Sequence, residues 1–121
     1  MHSTSGSDAK IYDRVKVLEN LDGDEDLLRE IAHIFLAGYQ RELERMRTAL
    51  AAGDAAALYR LAHTMKGSMG NFGALAGIDA AIAIERKTRE GQLAGVDSDL
   101  AKFVALTEQL AAALRHEVAR T

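Results

Sequence analysis

The chain has 121 residues, 48% of them hydrophobic and 27% charged, with no proline, no cysteine and a formal net charge of −3. That length and balance suit one compact domain with an apolar core. They exclude disulfides and a cysteine-ligated zinc site, and the slight acidity argues against nucleic acid, which demands a basic face. No apolar run approaches the roughly 18 residues of a membrane helix, and the opening MHSTSGSDAK lacks the hydrophobic stretch of a secretory signal. A cytoplasmic protein with no membrane partner is the expectation.

Residues 1–8 read as a disordered lead, followed by a single helical domain over 9–119. Alanine, leucine, glutamate and arginine dominate, and β-branched runs are missing. A short first helix is predicted over about 9–20, with Ile11, Val15 and Leu18 on one face. The turn Asn20-Leu21-Asp22-Gly23 ends it. Asp24 is the expected N-cap of the second helix, with Glu25 and Asp26 well placed in its positive first turn. Leu27, Leu28, Ile31, Ile34 and Phe35 are predicted to face inward, and Gly38 to break or bend the helix. The period resumes at Leu43, Met46 and Leu50, and Gly53 supplies a stop.

Asp54 is the expected cap of the third helix, which runs to about 71. Asn71-Phe72-Gly73 makes a corner. A further helix spans about 74–90 and stops at Gly91. Asp97 or Ser98 is expected to cap the last helix, over about 98–119, with Leu100, Phe103, Val104, Leu106, Leu110 and Leu114 turned mainly inward. Short connections between long amphipathic helices imply antiparallel neighbours. The expected fold is all-α: an antiparallel four-helix bundle with one or two additional short N-terminal helices.

Within the third helix the stretch LAHTMKGSMGNFGA places Gly67, Gly70 and Gly73 just after a histidine and a lysine. Each glycine inside a helix costs about 1 kcal/mol relative to alanine. On a helical wheel Leu58, Leu61, Met65 and Phe72 centre about 180° from His63, so His63 stands on the outer face. Tyr59, Arg60, Lys66, Gly67 and Gly70 all fall within about 60° of it. Two glycines thus leave bare backbone beside the imidazole, where side chains one turn away would otherwise cover it.

An exposed histidine near a lysine offers limited chemistry. A neutral imidazole nitrogen is available near pH 7, and it can accept a phosphoryl group and give it up again. Lys66 can offset the added negative charge. No carboxylate pair, Ser–His–Asp order or metal-ligand cluster accompanies His63, and no Walker-type loop is present. The chain reads as a carrier of phosphate with no means of taking it from ATP.

The stretch AHTMKGSMGNFGA resembles the signature of histidine-containing phosphotransfer (HPt) domains, A-H-x-L-K-G-[SA]-x-x-x-[LF]-G-A. LENLDGDEDLLREIAHIFL, ALAAGDAAALYRLAH and AAIAIERKTREGQLAG, which holds Glu85, also resemble the family, so the likeness spans about residues 11–115. The resemblance implies a helical bundle that relays a phosphoryl group between receiver-domain aspartates, as a phosphocarrier and not an enzyme. His63 matches the phosphorylated histidine, modified at Nε2, Lys66 the lysine that steadies the phosphoryl group, and Gly67 the small residue that leaves the ring open. Asn71 and Gly73 match the corner that ends the helix. It also implies partners: response regulator receiver domains and a hybrid histidine kinase. Mg²⁺ is expected on the receiver, with no cofactor or metal of the domain's own, and the domain is expected to be a monomer. Tyr59, Arg60, Met69 and Gly70 are candidate docking residues with Gly67, joined by apolar residues of the second helix and by Arg86 and Lys87. The chain departs from the family pattern in lacking a proline near Gly38-Tyr39-Gln40, and in having Met69 and Gly70 where a small Ser or Ala pair is common. Competing readings are an inactive adaptor that docks receivers or kinases without transferring phosphate, a helical hydrolase using His63, and a purely structural bundle.

Overall fold

The computed structural model describes residues 10–120. The predicted lead over 1–8 lies outside the described residues. From Arg14 on, five helices follow in order among the described residues: α1 Arg14–Asn20, α2 Glu25–Ala51, α3 Ala55–Gly70, α4 Leu75–Arg89 and α5 Val96–Ala119. Helix α2 packs on α3 and α5, and α4 packs on the same two helices from the other side. The four long helices therefore form an antiparallel ring, with α1 laid against α2. The expected all-α bundle is the fold, and among the described residues no strand occurs.

Local chemistry sets the helix ends. The carboxylates of Asp13, Asp24 and Asp54 accept from the backbone N–H groups of Lys16, Leu27 and Ala57 and so cap α1, α2 and α3. The Asp13 cap marks an interruption in the predicted first helix: Lys10 and Ile11 are helical, Tyr12 and Asp13 leave the helical path, and α1 begins at Arg14. Its inward residue is Val17, whereas Val15 is 70% exposed. Helix α5 begins two residues earlier than expected. Gly95 takes a left-handed φ of +80° as its N-cap, which puts Asp97 and Ser98 inside the first turn.

Helix α2 runs unbroken through Gly38 for 27 residues. Its buried residues Leu28, Ala32, Phe35, Tyr39, Leu43, Met46 and Ala49 keep one stripe against the core throughout. That continuous burial outweighs the roughly 1 kcal/mol that one glycine costs. The same stripe corrects two inward assignments: Leu27 is partly exposed, and Ile34 is 67% exposed.

Phe35, Phe72 and Phe103 anchor the core with Met46, Leu58, Ile84, Leu110 and Leu114. The Phe35 and Phe72 rings meet edge to face at 5.5 Å. Small residues line the α3–α4 seam, where Ala62, Gly77, Ala80 and Ala81 are all buried. A Cβ on Gly77 would stand 2.8 Å from Met69 Sδ, closer than real contacts allow. Gly77→Ala is therefore expected to destabilise the bundle by about 1 kcal/mol, an overpacking cost only partly offset by better helix propensity. Urea unfolding checks this; an unchanged or higher midpoint would show that Met69 yields freely.

The N-terminal segment is strapped across one end of the bundle. Asp13 N–H donates to the Phe72 carbonyl at 3.1 Å, and the Tyr12 ring meets Phe72 edge-on. Tyr12 Oη donates to Glu117 Oε1 at 2.7 Å. Arg14 donates from Nε to the same oxygen at 2.8 Å and from Nη2 to Oε2 at 3.1 Å. The strap grips the corner after α3, where Gly73 takes φ +59° and a Cβ would meet Asp13 Cβ at 3.0 Å. The end of the His63 helix is thereby fixed in place.

Candidate phosphoryl-accepting site

His63 lies midway along α3 with 62% of its side chain exposed. The apolar stripe opposite it (Leu58, Ala62, Met65, Met69) is buried, which forces the ring outward. Its Nδ1 lies 2.6 Å from Glu85 Oε2 on α4, and Lys66 Nζ donates to Glu85 Oε1 at 2.8 Å. One carboxylate thus bridges the histidine and the lysine. Glu85 is only 6% exposed. Burial alone would push its carboxyl up, but hydrogen bonds from Lys66 and His63 outweigh that and hold it below the ordinary carboxylate range. It is ionised at neutral pH and can only accept. Nδ1 must then carry the proton, and in the neutral ring the lone pair sits on Nε2, the outward nitrogen.

The other predicted residues surround this pair unevenly. Tyr59, one turn before His63, stacks on it with ring centroids 6.1 Å apart. Arg89 of α4 donates to Tyr59 Oη at 3.2 Å and lies over its ring. Gly67 and Gly70 are exposed, and a Cβ at either would meet nothing within 4 Å among the described residues. The clearance read from the wheel is present in space. Arg60 is exposed and lines a groove of about 530 Å³ with Arg41 and Arg45, whose edge reaches Thr64 beside His63. Arg86 is exposed.

Two docking candidates are corrected. Met69 is 0% exposed and packs against Gly77 in the α3–α4 seam, so no partner can touch it. Lys87 is paired with Asp99 of α5 at 2.8 Å, on the far side of α4 from His63. The apolar residues of α2 that were also docking candidates do line open clefts beside α3. Ile34 joins Ile31, Phe35, Ser68 and Asn71 around one shallow cleft of about 210 Å³. A second cleft, of about 220 Å³, continues it past Gly38, Thr64 and Ser68. An apolar α2–α3 face thus runs along the side of α3 that adjoins Gly67, while Glu85 and Lys66 occupy the other side.

Glu85, named in the sequence only within a stretch that resembles the family, is the partner of His63 and Lys66 that the pattern of α3 does not assign. Its signal is an acidic side chain at a core-facing position: Ala81, Ile84, Glu85 and Thr88 share one buried stripe of α4. A carboxylate is seldom buried without partners, but sequence spacing does not tell which partners lie 22 residues upstream.

The Hpt domain family model matches residues 18–117, most of the chain. The chain belongs to the Hpt domain family. Similar solved structures include histidine-containing phosphotransfer protein B (HptB) from Pseudomonas aeruginosa PAO1, at 26% identity and a TM-score of 0.81, covering 88% of this chain and 93% of that one. Another is the Hpt domain of a sensor hybrid histidine kinase from Shewanella, at 15% identity and a TM-score of 0.82, covering 93% and 97%. Among curated protein sequences none matches. As an Hpt domain the chain has a histidine phosphotransfer role in phosphorelays, as a carrier module and not a kinase. No helix among the described residues of this Hpt domain is long and apolar enough to cross a membrane.

Proposed function

We propose that this Hpt domain relays a phosphoryl group between receiver-domain aspartates through a phosphohistidine at His63. The observation that carries the reading is the orientation of the ring: Nδ1 is tied to Glu85 at 2.6 Å while the rest of an exposed side chain faces outward. Nε2 attacks the phosphorus of a receiver phospho-aspartate in line, and the P–O bond to the aspartate breaks. The reverse step charges a second receiver. The receiver brings the Mg²⁺, and the partners are response regulator receivers and a hybrid histidine kinase, met by a monomeric domain in the cytoplasm. The domain's own contribution is mostly positioning.

The proposed docking face is the α2–α3 clefts with Ile34 at their edge, continued by the open backbone of Gly67 and Gly70. Ile34, 67% exposed, joins the partly buried Ile31 and the edge of Phe35 in one continuous apolar lining, and a contiguous patch of this kind marks an interaction site. Lys66, held by Glu85 in the free domain, is the nearest cation on the α4 side.

Gly67→Gln is a direct check on access. A Cβ at Gly67 meets nothing within 4 Å among the described residues, and the change improves helix propensity by up to about 1 kcal/mol, so stability should hold or rise. Transfer from a phosphorylated receiver should nonetheless fall about 10²-fold, because the partner can no longer seat its aspartate in line. Unchanged transfer would mean that the receiver approaches from another side.

The reading as a whole is tested by incubating the domain with phosphorylated receivers and following the label. An acid-labile, base-stable adduct on the domain is the expected result. Failure to take label from every receiver in a broad panel would favour an adaptor that docks without transferring.

A further inference from the structure

Thr64, next to His63, lines both the cleft of about 220 Å³ and the groove of about 530 Å³. The α2–α3 clefts therefore run on past the histidine into that groove as one trough. Its character changes along the way. Near Gly67 the lining is apolar, with Ile34 exposed at the edge. Beyond Thr64 the floor is Ala49, Ala57 and Leu61, and the exposed Arg41 and Arg60 stand at the rim on opposite helices. We infer that this basic end of the trough is a selectivity site for the receiver: it takes an acidic side chain on the helix that the receiver lays along α2 and α3. The inference rests on the relay reading above and deepens it by naming the partner chemistry that the domain selects.

The charge at that end is unbalanced. Glu42 is paired with Arg45 and Glu44 with Arg47, and the Asp54 carboxylate caps α3 by accepting from Ala57 N–H. The negative groups beside the groove are thus each engaged. Arg41 and Arg60 have no side-chain partner among the described residues. Arginines elsewhere are held: Arg14 and Arg120 by Glu117, Arg29 by Asp26, Arg89 by Tyr59 and Arg115 by Tyr39. Apart from those two, Arg86 on α4 alone lacks a partner in the same sense. Two uncommitted guanidinium groups at one groove attract a carboxylate there, on a chain whose net charge of −3 otherwise repels one.

Spacing defines the partner further. Arg41 follows Ile34 by seven residues on α2, and Arg60 precedes Gly67 by seven on α3, in each case about two turns or 10 Å. The two helices are antiparallel, so the apolar and basic ends are offset by the same length on both walls. A helix laid in the trough meets both ends when it carries an apolar and an acidic side chain seven residues apart on one face. The small floor residues Ala49 and Ala57 let such a helix come close. His63 stands beside the trough between its two ends, and a helix held at both is fixed in register with the imidazole.

The test uses the intact domain, a phosphorylated receiver that loads it, and phosphoramidate as a small donor that needs no docking. A double variant, Arg41→Glu with Arg60→Glu, is compared with wild type and with Lys102→Glu, an exposed charge reversal on α5. Both arginines are exposed and unbonded, so helicity and melting should hold. The half-saturating receiver concentration should rise at least about tenfold in the double variant, while the rate at saturation changes less than about twofold. Added salt should weaken loading of wild type, and the double variant should lose most of that dependence. Loading from phosphoramidate should be equal in all three. A charge swap completes the test. Arginine in place of the receiver's acidic residue, seven positions from its apolar anchor, should weaken loading of wild type and restore loading of the double variant. Unchanged half-saturation in the double variant, an equal loss in Lys102→Glu, or a swap that restores nothing overturns the selectivity site and leaves the relay standing. A loss that also appears with phosphoramidate does the same, because it lies in the chemistry of His63 and not in docking. A wild type that no phosphorylated receiver loads overturns the relay reading, and this inference with it.

Discussion

His63→Gln is expected to abolish phosphoryl acceptance, lowering label on the domain by at least about 10³-fold, to background, while the helical content stays that of the wild type. The chemistry leaves no substitute. A glutamine amide nitrogen has no available lone pair, the hydroxyl of neighbouring Thr64 is a poor nucleophile at neutral pH, and of the two side chains in contact with His63, Tyr59 is bonded to Arg89 and Glu85 is buried against Lys66. The fold should not notice the change. His63 is largely exposed, its hydrogen bond goes to Glu85, and the glutamine side-chain amide can donate to the same carboxylate. Surface changes of this kind move stability by about 0.5 kcal/mol or less. Label retained on the variant would place the acceptor elsewhere, and His33 and His116 would be the histidines to examine. Loss of label together with loss of helicity would mean that His63 is structural.

Glu117→Ala is expected to carry the largest stability penalty, about 3 kcal/mol, because it unpairs Arg14 and the Tyr12 hydroxyl at once. Glu117 is 2% exposed and accepts all three hydrogen bonds that tie the N-terminal strap to α5. Arg14 keeps some access to solvent, with 29% of its side chain exposed, which holds the cost below that of a fully buried pair. In a thermal melt the midpoint should drop by roughly 10 °C. The pair also has a pH signature. Burial would push the Glu117 carboxyl up, but the hydrogen bonds from Arg14 and Tyr12 outweigh it, and the folded-state value lies below the ordinary one. The unfolded chain therefore binds the proton more tightly than the folded one. The stabilisation is present above the unfolded value, near 4.3, and is lost as pH falls from there through the lowered folded value. Wild type should weaken progressively on acidification, with Glu85 acting in the same direction, and Glu117→Ala should show a shallower slope over that window. The Tyr12 hydroxyl moves oppositely: burial and the bond to Glu117 push it well above its ordinary range, so it stays a donor at any physiological pH. Equal slopes in wild type and variant would show that the strap contributes no linked protonation.

The helices were legible because they are marked twice, by apolar period and by caps. Asp24 and Asp54 behave as their sequence positions predict, and Gly53 and Gly91 end their helices in the left-handed conformation. Where the structure departs from the sequence pattern, a tertiary contact outweighs a local rule. Gly38 does not break α2 because the stripe from Leu28 to Ala49 stays packed against two neighbours along its length. Ile34 looked like core because it is isoleucine, yet it points out along the cleft beside α3. Met69 looked like surface because it stands in the motif, though its wheel position already belonged to the apolar side. His63 and its glycines were legible because they lie on one helix, where the wheel orders side chains without further information. Glu85 carries no such mark, since its partners depend on how α3 and α4 pack together, a tertiary feature of the seam in which Gly77 meets Met69.

The most direct measurement is a ³¹P–¹⁵N correlated NMR spectrum of the domain, labelled with ¹⁵N-histidine and loaded from a phosphorylated receiver. The expected spectrum has one phosphoryl resonance coupled to Nε2 of His63, with a proton on Nδ1. A phosphoryl group on Nδ1, on another side chain, or retained entirely by the receiver would contradict a relay through the outward face of α3.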